Sequence, residues 1–426
     1  MSTAFTPAAW AHSTNIYEVN LRQYTAEGTF AAFAEHLPRL KDMGIEVIWL
    51  MPVTPISEKN RKGSLGSYYA CSSYVKINPE FGTIDEFKSL VKQIHDLGMR
   101  VIIDWVANHT GWDHEWTLTH PEYYTQDDKG HFKPPVESWE DVIHLNFYNP
   151  ALRNAMIEAM RFWITDCSID GFRCDMAMLV PAEFWFEART ALDAERELFW
   201  LGEFDQWGDE PYAHVFDASY TWHWMHTTEE FSKGKRKMVE LDHVLSDYHQ
   251  KKPFGHLHSF FTSNHDENSW NGTEYEKYGN LAIPLAVFSC TWNGVPLIYS
   301  GQELPNKKRL RFFDKDEIEW TGDIQLHNLY KKLLQLRKAH PALLAAHRDV
   351  ITWRIATDYP DQLFCFVRMN QGRAVIVVLN FSDAPLTFQL HDLRVRGMFE
   401  NVFTGEHKDA TDSFFVDAWG YSVMMK

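Results

Sequence analysis

The stretch TIDEFKSLVKQIHDLGMRVIIDW, residues 83–105, carries the reading of the fold. Thr83 has the character of a helix N-cap, and Asp85 and Glu86 follow in the first turn, where carboxylates meet the positive end of the helix dipole. Phe87, Leu90, Val91 and Ile94 recur at helical spacing as one apolar stripe, and Gly98 stops the helix. RVIIDW (Arg100 to Trp105) then reads as a short buried strand that ends in polar residues. The preceding segment has the same grammar. IYEVNL (Ile16 to Leu21) is followed by Phe30, Phe33, Leu37 and Leu40 at helical spacing, by Gly44 as a stop, and by the strand IEVIWLMP (Ile45 to Pro52), which together make one βαβ unit.

The alternation pauses between about residues 110 and 149, a stretch rich in His, Trp, Asp and Pro without sustained periodicity, as expected of an inserted subdomain. It resumes at Asn149-Pro150, an N-cap with proline in the first turn. Five further strands are predicted: IDGFRCD (Ile169 to Asp175), ELFWLGE (Glu197 to Glu203), VFDASY (Val215 to Tyr220), SFFTSNHD (Ser259 to Asp266) and VPLIYSG (Val295 to Gly301). Leu326, Leu329, Tyr330, Leu333 and Leu336 stripe a closing helix before Pro341. Eight strands alternating with helices predict a (β/α)8 TIM barrel over residues 1–109 and 150–344, with the insert 110–149 after strand three. Beyond residue 345 the period becomes strand-like, which predicts a C-terminal antiparallel β-sandwich domain over 345–426, expected chiefly to cover the barrel.

Composition narrows the function. The 41 Lys and Arg against 58 Asp and Glu leave a formal charge of −17, which repels phosphate backbones and anionic lipid, so neither nucleic acid nor a membrane is an expected partner. Five scattered cysteines, Cys71, Cys167, Cys174, Cys290 and Cys365, have no metal-ligand or disulfide spacing. No signal-peptide pattern opens the chain, so the expected address is the cytoplasm, or a secreted or periplasmic one if a signal has been removed. The aromatic share of 15% is high, and many of these rings fall on predicted loops: Tyr68, Tyr69, Trp105, Trp112, Trp139, Trp207, Trp222 and Trp270.

In a barrel of this kind, polar residues at the C-terminal ends of strands face the active site. Strand three ends in Asp104, with Asn108 and His109 just beyond; Arg173 and Asp175 end strand four, Glu203 ends strand five, and His265 and Asp266 end strand seven. Taken singly, each carboxylate reads as a cap or an ion-pair partner, and each histidine as a satisfied loop residue; their convergence makes the site. Two chemistries use such a ring: a divalent metal held by carboxylates, as in enolase-like barrels, and glycoside hydrolysis by an ionised nucleophile and a protonated acid. Arg173 lies two residues before Asp175 and points the same way along a strand, which suits the second. A fixed cation is counterproductive beside a metal but keeps a nucleophilic carboxylate ionised.

DWVANH (Asp104 to His109), GFRCD (Gly171 to Asp175), Glu203 and SNHD (Ser263 to Asp266), in this order, resemble the four signature regions of the α-amylase family, glycoside hydrolase family 13. GSYYACSSYVKINPEFGT (Gly66 to Thr83) and GVPLIYSGQE (Gly294 to Glu303) extend the resemblance. It implies a retaining hydrolase of α-1,4-glucosidic bonds in starch, glycogen or maltooligosaccharides. It also implies roles: Asp175 as nucleophile, Glu203 as acid and base, and Asp266 as transition-state stabiliser. His109 and His265 would bond the same sugar, Arg173 and Asp104 would support the site, and Tyr69 would be the stacking platform.

Relatives often hold a structural calcium between the residue at Asn108 and an aspartate of the insert, where this chain has His144. Calcium wants oxygen ligands, so no cofactor is expected to be required and a calcium site is doubtful. The Lys-His pair that often follows the nucleophile is replaced in CDMAMLV, and Ser73 stands where Asp is common. An α-glucosidase or a transglycosylase would use the same residues, and a catalytically silent carbohydrate-binding relative is the reading from a different class. The oligomeric state is left open.

Overall fold

A computed structural model describes residues 5–205, 210–251 and 253–426. Eight parallel strands close into a barrel: β1 (Ile16–Val19), β2 (Val47–Leu50), β3 (Arg100–Trp105), β4 (Gly171–Cys174), β5 (Phe199–Gly202), β6 (Ala218–Tyr220), β7 (Leu257–Phe260) and β8 (Val295–Tyr299). They neighbour one another in chain order, with β8 paired to β1 through Tyr17↔Ile298. Seven of the eight lie within the predicted strands, and β7 overlaps its predicted stretch only at Ser259 and Phe260.

Side chains alternate between the two faces of a strand, and the barrel uses this period twice. Ile16, Val47, Ile102, Phe199, Ala218, Leu257 and Val295 point inward as one apolar cluster that plugs the lower barrel. Two residues further along their strands, the inward positions carry Glu18 and Asp104 beside Trp49, Leu201 and Tyr220, so buried carboxylates enter the layer above the plug. The outward set, including Ile48, Val101, Ile103, Phe172 and Trp200, packs beneath the helices.

Local signals explain several helix ends. Thr83 and Glu86 form a reciprocal capping box on Ile84–Asp96, and the Asn149 side chain accepts from Ala151 N at the start of Pro150–Thr165. Gly44 takes the left-handed conformation that ends Leu37–Met43. Three boundaries differ from the expectation. The stripe from Phe30 to Leu40 is two helices, Phe30–Ala34 and Leu37–Met43, because Pro38 begins a new first turn. Strand six is shorter, starting at Ala218. Strand seven runs Leu257–Phe260 instead of reaching Asp266: Asn264 Oδ1 accepts from Glu267 N at 2.8 Å and turns the chain into a π-helix, Glu267–Asn271.

The insert is held to the barrel mouth by a short antiparallel pair, His109–Gly111 with Val142–His144. Beyond the closing helix His327–Ala339 the chain is β: β9 (Ile351–Arg354), β10 (Leu363–Asn370), β11 (Arg373–Asn380), β12 (Leu386–Phe388), β13 (Met398–Asn401), β14 (His407–Asp409), β15 (Phe414–Val416) and β16 (Tyr421–Met425). The main sheet runs β9-β10-β11-β16-β13-β14, and β12 pairs with β15 in a second, two-stranded sheet. Period two again divides the labour. Leu363, Cys365, Val367, Ile376 and Val378 fill the core of this domain, with Phe388 and Phe414 from the second sheet. Phe364, Phe366, Val375 and Val377 face the barrel and join its core.

The joint centres on Phe288, whose ring lies 4.3 Å from Trp224, 5.2 Å from Trp292 and 5.6 Å from Phe364. All five cysteines are buried and free. Among the described residues no helix is long and apolar enough to cross a membrane. Phe288→Ala is expected to cost ~3–5 kcal/mol through the cavity it leaves, read as a lower urea midpoint. A midpoint unchanged from wild type would show that the two domains do not depend on this contact.

Candidate active site

The site is built on β4. Gly171 has a φ of 153° and sits so close to β5 that a Cβ there would lie 2.0 Å from the Phe199 carbonyl oxygen, so only glycine fits. The next inward residue, Arg173, is fully buried and pairs in register with Asp104 on β3. Its Nη1 donates to both Asp104 oxygens at 2.9 and 3.1 Å and to Asp175 Oδ1 at 3.0 Å. Nη2 donates to Glu203 Oε2 at 2.7 Å, and Nε to the Tyr220 hydroxyl at 3.2 Å. The guanidinium also lies 5.0 Å from the Trp49 ring centre, a cation–π contact. One cation therefore gathers three carboxylates from three strands.

Asp175 follows directly on β4, and the next residue, Met176, takes a left-handed conformation with φ 40° and ψ 46°. That turn aims Met176 N–H at Glu203 Oε2, 2.9 Å away. A non-glycine residue in this region stores backbone strain, as functional sites often do. Glu203 follows β5, and burial, partly opposed by Arg173, pushes its carboxyl up to about 7. Burial also raises Asp175 and Asp104; Arg173 opposes this rise without reversing it.

Asp266 departs from the other carboxylates. Burial pushes it up, but the His265 imidazole and its hydrogen bond pull harder, so it stays below the usual carboxylate range. His265 is itself held well above its ordinary value: burial disfavours its charge, and Asp266 and Glu18 more than offset this. Its Nδ1 donates to Glu18 Oε1 at 2.5 Å, and its Nε2 lies 2.8 Å from the Tyr69 hydroxyl and 3.3 Å from Asp266 Oδ2. Tyr69 in turn donates to Asp104 Oδ2 at 3.0 Å. A protonated His265 makes the whole chain consistent, with donors running Glu18 ← His265 → Tyr69 → Asp104 ← Arg173.

A cavity of 210 Å³ opens over these groups, walled by Tyr69, His109, Trp139, Asp175, Glu203 and Asp266, with Phe312 and Phe313 above. Arg173, Asp104 and His265 form the layer beneath it. Burial pushes His109 down to about 4, so it is neutral at pH 7. The aromatic expectation divides. Tyr69 and Trp139 line the cavity, and Trp270, 52% exposed, stands on its rim 5.4 Å from Phe312. Tyr68 and Trp105 are core residues, Trp112 bonds Glu140 O within the insert, and Trp222 packs on Tyr220 and Phe261. Trp207 lies outside the described residues.

Sequence reasoning did not find Glu18, Met176, Phe312 or Phe313. Glu18 has a signal in hindsight: it is the one acidic residue in the apolar strand IYEV, fully buried. At the calcium position, Asn108 Oδ1 is buried without a hydrogen-bond partner among the described residues, which alone would suit a cation. Across the strand pair His144 lies opposite the next residue, His109, and its Nδ1 is 2.9 Å from the Thr125 hydroxyl. Among the described residues no group of three or more His, Cys, Asp or Glu could hold a metal. This donor set does not fit calcium.

The description of the α-amylase catalytic domain matches residues 7–142 and 137–321. The chain belongs to the α-amylase family. It is 28% identical over 413 residues to α-amylase MalA of Haloarcula japonica and 25% identical over 417 residues to α-amylase 2 of Dictyoglomus thermophilum. These alignments take in 90% and 91% of this chain but 57% and 69% of those proteins. Among solved structures, the noncanonic maltogenic α-amylase AmyB from Thermotoga neapolitana superposes with a TM-score of 0.89 at 29% identity, covering 98% of this chain and 99% of that one. An α-amylase from Lactobacillus plantarum gives 0.89 at 28%, covering 98% and 100%.

Arg173→Met leaves three buried carboxylates without their cation and is expected to cost ~3–5 kcal/mol at pH 8. The loss should shrink toward pH 5. Removing the cation raises the carboxyls further in the folded state, so the folded protein gains protons, and stability, as pH falls. Wild-type Glu203 acts in the same sense: its contribution to folding is full below its ordinary 4.5 and is lost as pH rises through about 7. Denaturation at both pH values checks this, and an equal loss at each would contradict the electrostatic account.

Proposed function

We propose that the protein is a retaining α-glucan hydrolase that cleaves α-1,4-glucosidic bonds in starch, glycogen or maltooligosaccharides. The observation that carries this reading is the shared guanidinium: Asp175 and Glu203 bond neighbouring nitrogens of Arg173. Two carboxylates joined through one planar cation sit close, as the ~5 Å spacing of a retaining pair requires. A metal-dependent reading has no comparable support, because the place a divalent cation would take among these carboxylates is filled by Arg173.

The environments divide the labour. Glu203, with its carboxyl at about 7, holds a proton near neutral pH and donates it to the departing glucosidic oxygen. As that C–O bond breaks, an Asp175 oxygen bonds the anomeric carbon from the opposite face, giving a covalent glycosyl-enzyme. Glu203, now ionised, takes a proton from water, whose oxygen displaces Asp175. Net, one water is consumed and the anomeric configuration is retained. Asp266, kept ionised by His265, opposes the positive charge that develops on the sugar ring. Tyr69 offers its ring to the apolar face of the sugar, and neutral His109 can hydrogen-bond a hydroxyl. A sugar hydroxyl in place of water would give transglycosylation with the same residues.

Asp175→Asn is expected to abolish turnover of maltoheptaose. Glu203→Gln should lower kcat by roughly 10²–10⁴-fold on maltooligosaccharides and much less on α-glucosyl fluoride, whose leaving group needs no proton. The basic limb of kcat/KM, set near pH 7 by Glu203 in the wild type, should vanish in that variant. Full activity of Asp175→Asn protein would overturn the mechanism. We also propose that no calcium is required: exhaustive chelation should leave both Tm and activity unchanged, and a fall in either would restore the metal.

A further inference from the structure

Resting on the hydrolase reading, a second question is how much sugar the site admits on each side of the cut. The segment 57–66, which follows β2, is tied down on both flanks. Toward the insert, the N–H groups of Glu58 and Lys59 donate to Asp113 Oδ2 at 2.9 and 3.1 Å, and Lys62 pairs with Asp141 at 2.9 Å on the cavity wall. Ser57 packs so tightly on Gly111 that a Cβ on that glycine would lie 2.0 Å from the serine's own. Toward the segment after β8, Leu65 N donates to Phe313 O at 3.0 Å. Ser64 donates to Asp314 Oδ1 through its N–H at 3.0 Å and its hydroxyl at 2.5 Å. Gly63, at φ 65°, approaches Phe313 so closely that a Cβ would lie 2.4 Å from the Phe313 Cβ.

These contacts join the insert after β3, the segment after β2 and the segment after β8 into one continuous wall. In the barrel order that arc, β3-β2-β1-β8, lies opposite β5, and β5 carries Glu203. An acid that protonates the leaving oxygen marks the side on which the leaving chain departs. The glycon, the part retained on Asp175, therefore extends the other way, toward the wall. The cavity of 210 Å³ is smaller than the ~300–1,000 Å³ of ordinary ligand pockets, which leaves space for very few rings.

We infer that the wall built from 57–66, Asp141 and Phe313-Asp314 closes the glycon side after one or two glucosyl units, so that the protein attacks chains from their non-reducing ends. Its cleavage of a long glucan is then exo-type, releasing glucose or maltose, and the leaving chain takes the open side.

Maltoheptaose tagged at its reducing end tests this. The first products should be tagged chains shortened by one or two units, and a substrate whose non-reducing end is capped by a 4,6-acetal should react at least tenfold more slowly. Tagged maltotriose or shorter among the first products, or equal rates on capped and free substrate, would overturn the inference while leaving the hydrolase reading intact. No cleavage of either substrate overturns both. The triple variant Lys62→Ala, Ser64→Ala, Asp314→Ala unties the wall and should lengthen the released fragment by at least one unit. A folded variant with the wild-type product pattern would mean that the wall does not set it.

Discussion

The mouth of this barrel depends on one buried guanidinium. Asp104, Asp175 and Glu203 approach one another from three strands, and three carboxylates in a desolvated space could not remain ionised or closely spaced without a cation among them. Arg173 supplies it in a form that lysine could not: a rigid planar fork with five donors, two of which separate Asp175 from Glu203 while a third reaches Tyr220. The fork is fixed from below by the Trp49 face and from behind by the close approach of β4 to β5 at Gly171. Strand geometry therefore sets where the cation lies, and the cation sets where the carboxylates point.

Chemical differentiation follows from what else each carboxylate meets. Glu203 has Arg173 and one backbone N–H against strong burial, and it ends protonated near neutrality. Asp266 has a charged His265 beside it and stays ionised. That charge is itself maintained by Glu18 on β1, two strands along the barrel from β7; the second Glu18 oxygen has no hydrogen-bond partner among the described residues. A chain of hydrogen bonds thus runs from Glu18 on β1 through His265 and Tyr69 to Asp104 on β3 and Arg173 on β4. His265 Nε2 is shared between the Tyr69 hydroxyl and Asp266, and Arg173 Nη1 between Asp104 and Asp175, so the protonation states along it are coupled.

Much of this was legible in the sequence because it obeys short periods. Most barrel strands are apolar runs with polar residues at or just beyond their C-terminal ends, so Asp104, Arg173, Asp175 and Glu203 announce themselves by position. The end of strand seven did not, because pairing stops at Phe260 although the apolar run continues through Phe261, and Asn264 turns the chain into the π-helix only further on. The break at His36 was masked by an apolar stripe that continues in phase across Pro38. Glu18 looked like an isolated acid in a strand, and only its distance to His265, 247 positions away in the chain, gives it meaning. The rings were the least legible of all. Tyr68 and Tyr69 are adjacent, yet one is core beneath Arg22 and the other lines the cavity, because an irregular loop has no period to assign faces.

The chemistry stands on strand ends that the barrel core holds rigid, whereas the shape of the opening is set by loops fastened to one another. The fastening of 57–66 uses backbone N–H groups, three aspartates and two glycine contacts, which are local and individually replaceable, so substrate range can change without disturbing Arg173. The C-terminal sheet belongs to the rigid part. Its Phe364 and Phe366 pack on Phe288 and Trp292, in and just after the helix Ala282–Thr291, which connects the segment carrying Asp266 and Trp270 to β8. A domain remote from the cavity thereby packs against the stretch that follows Asp266, which accounts for part of the aromatic excess without assigning those rings to sugar.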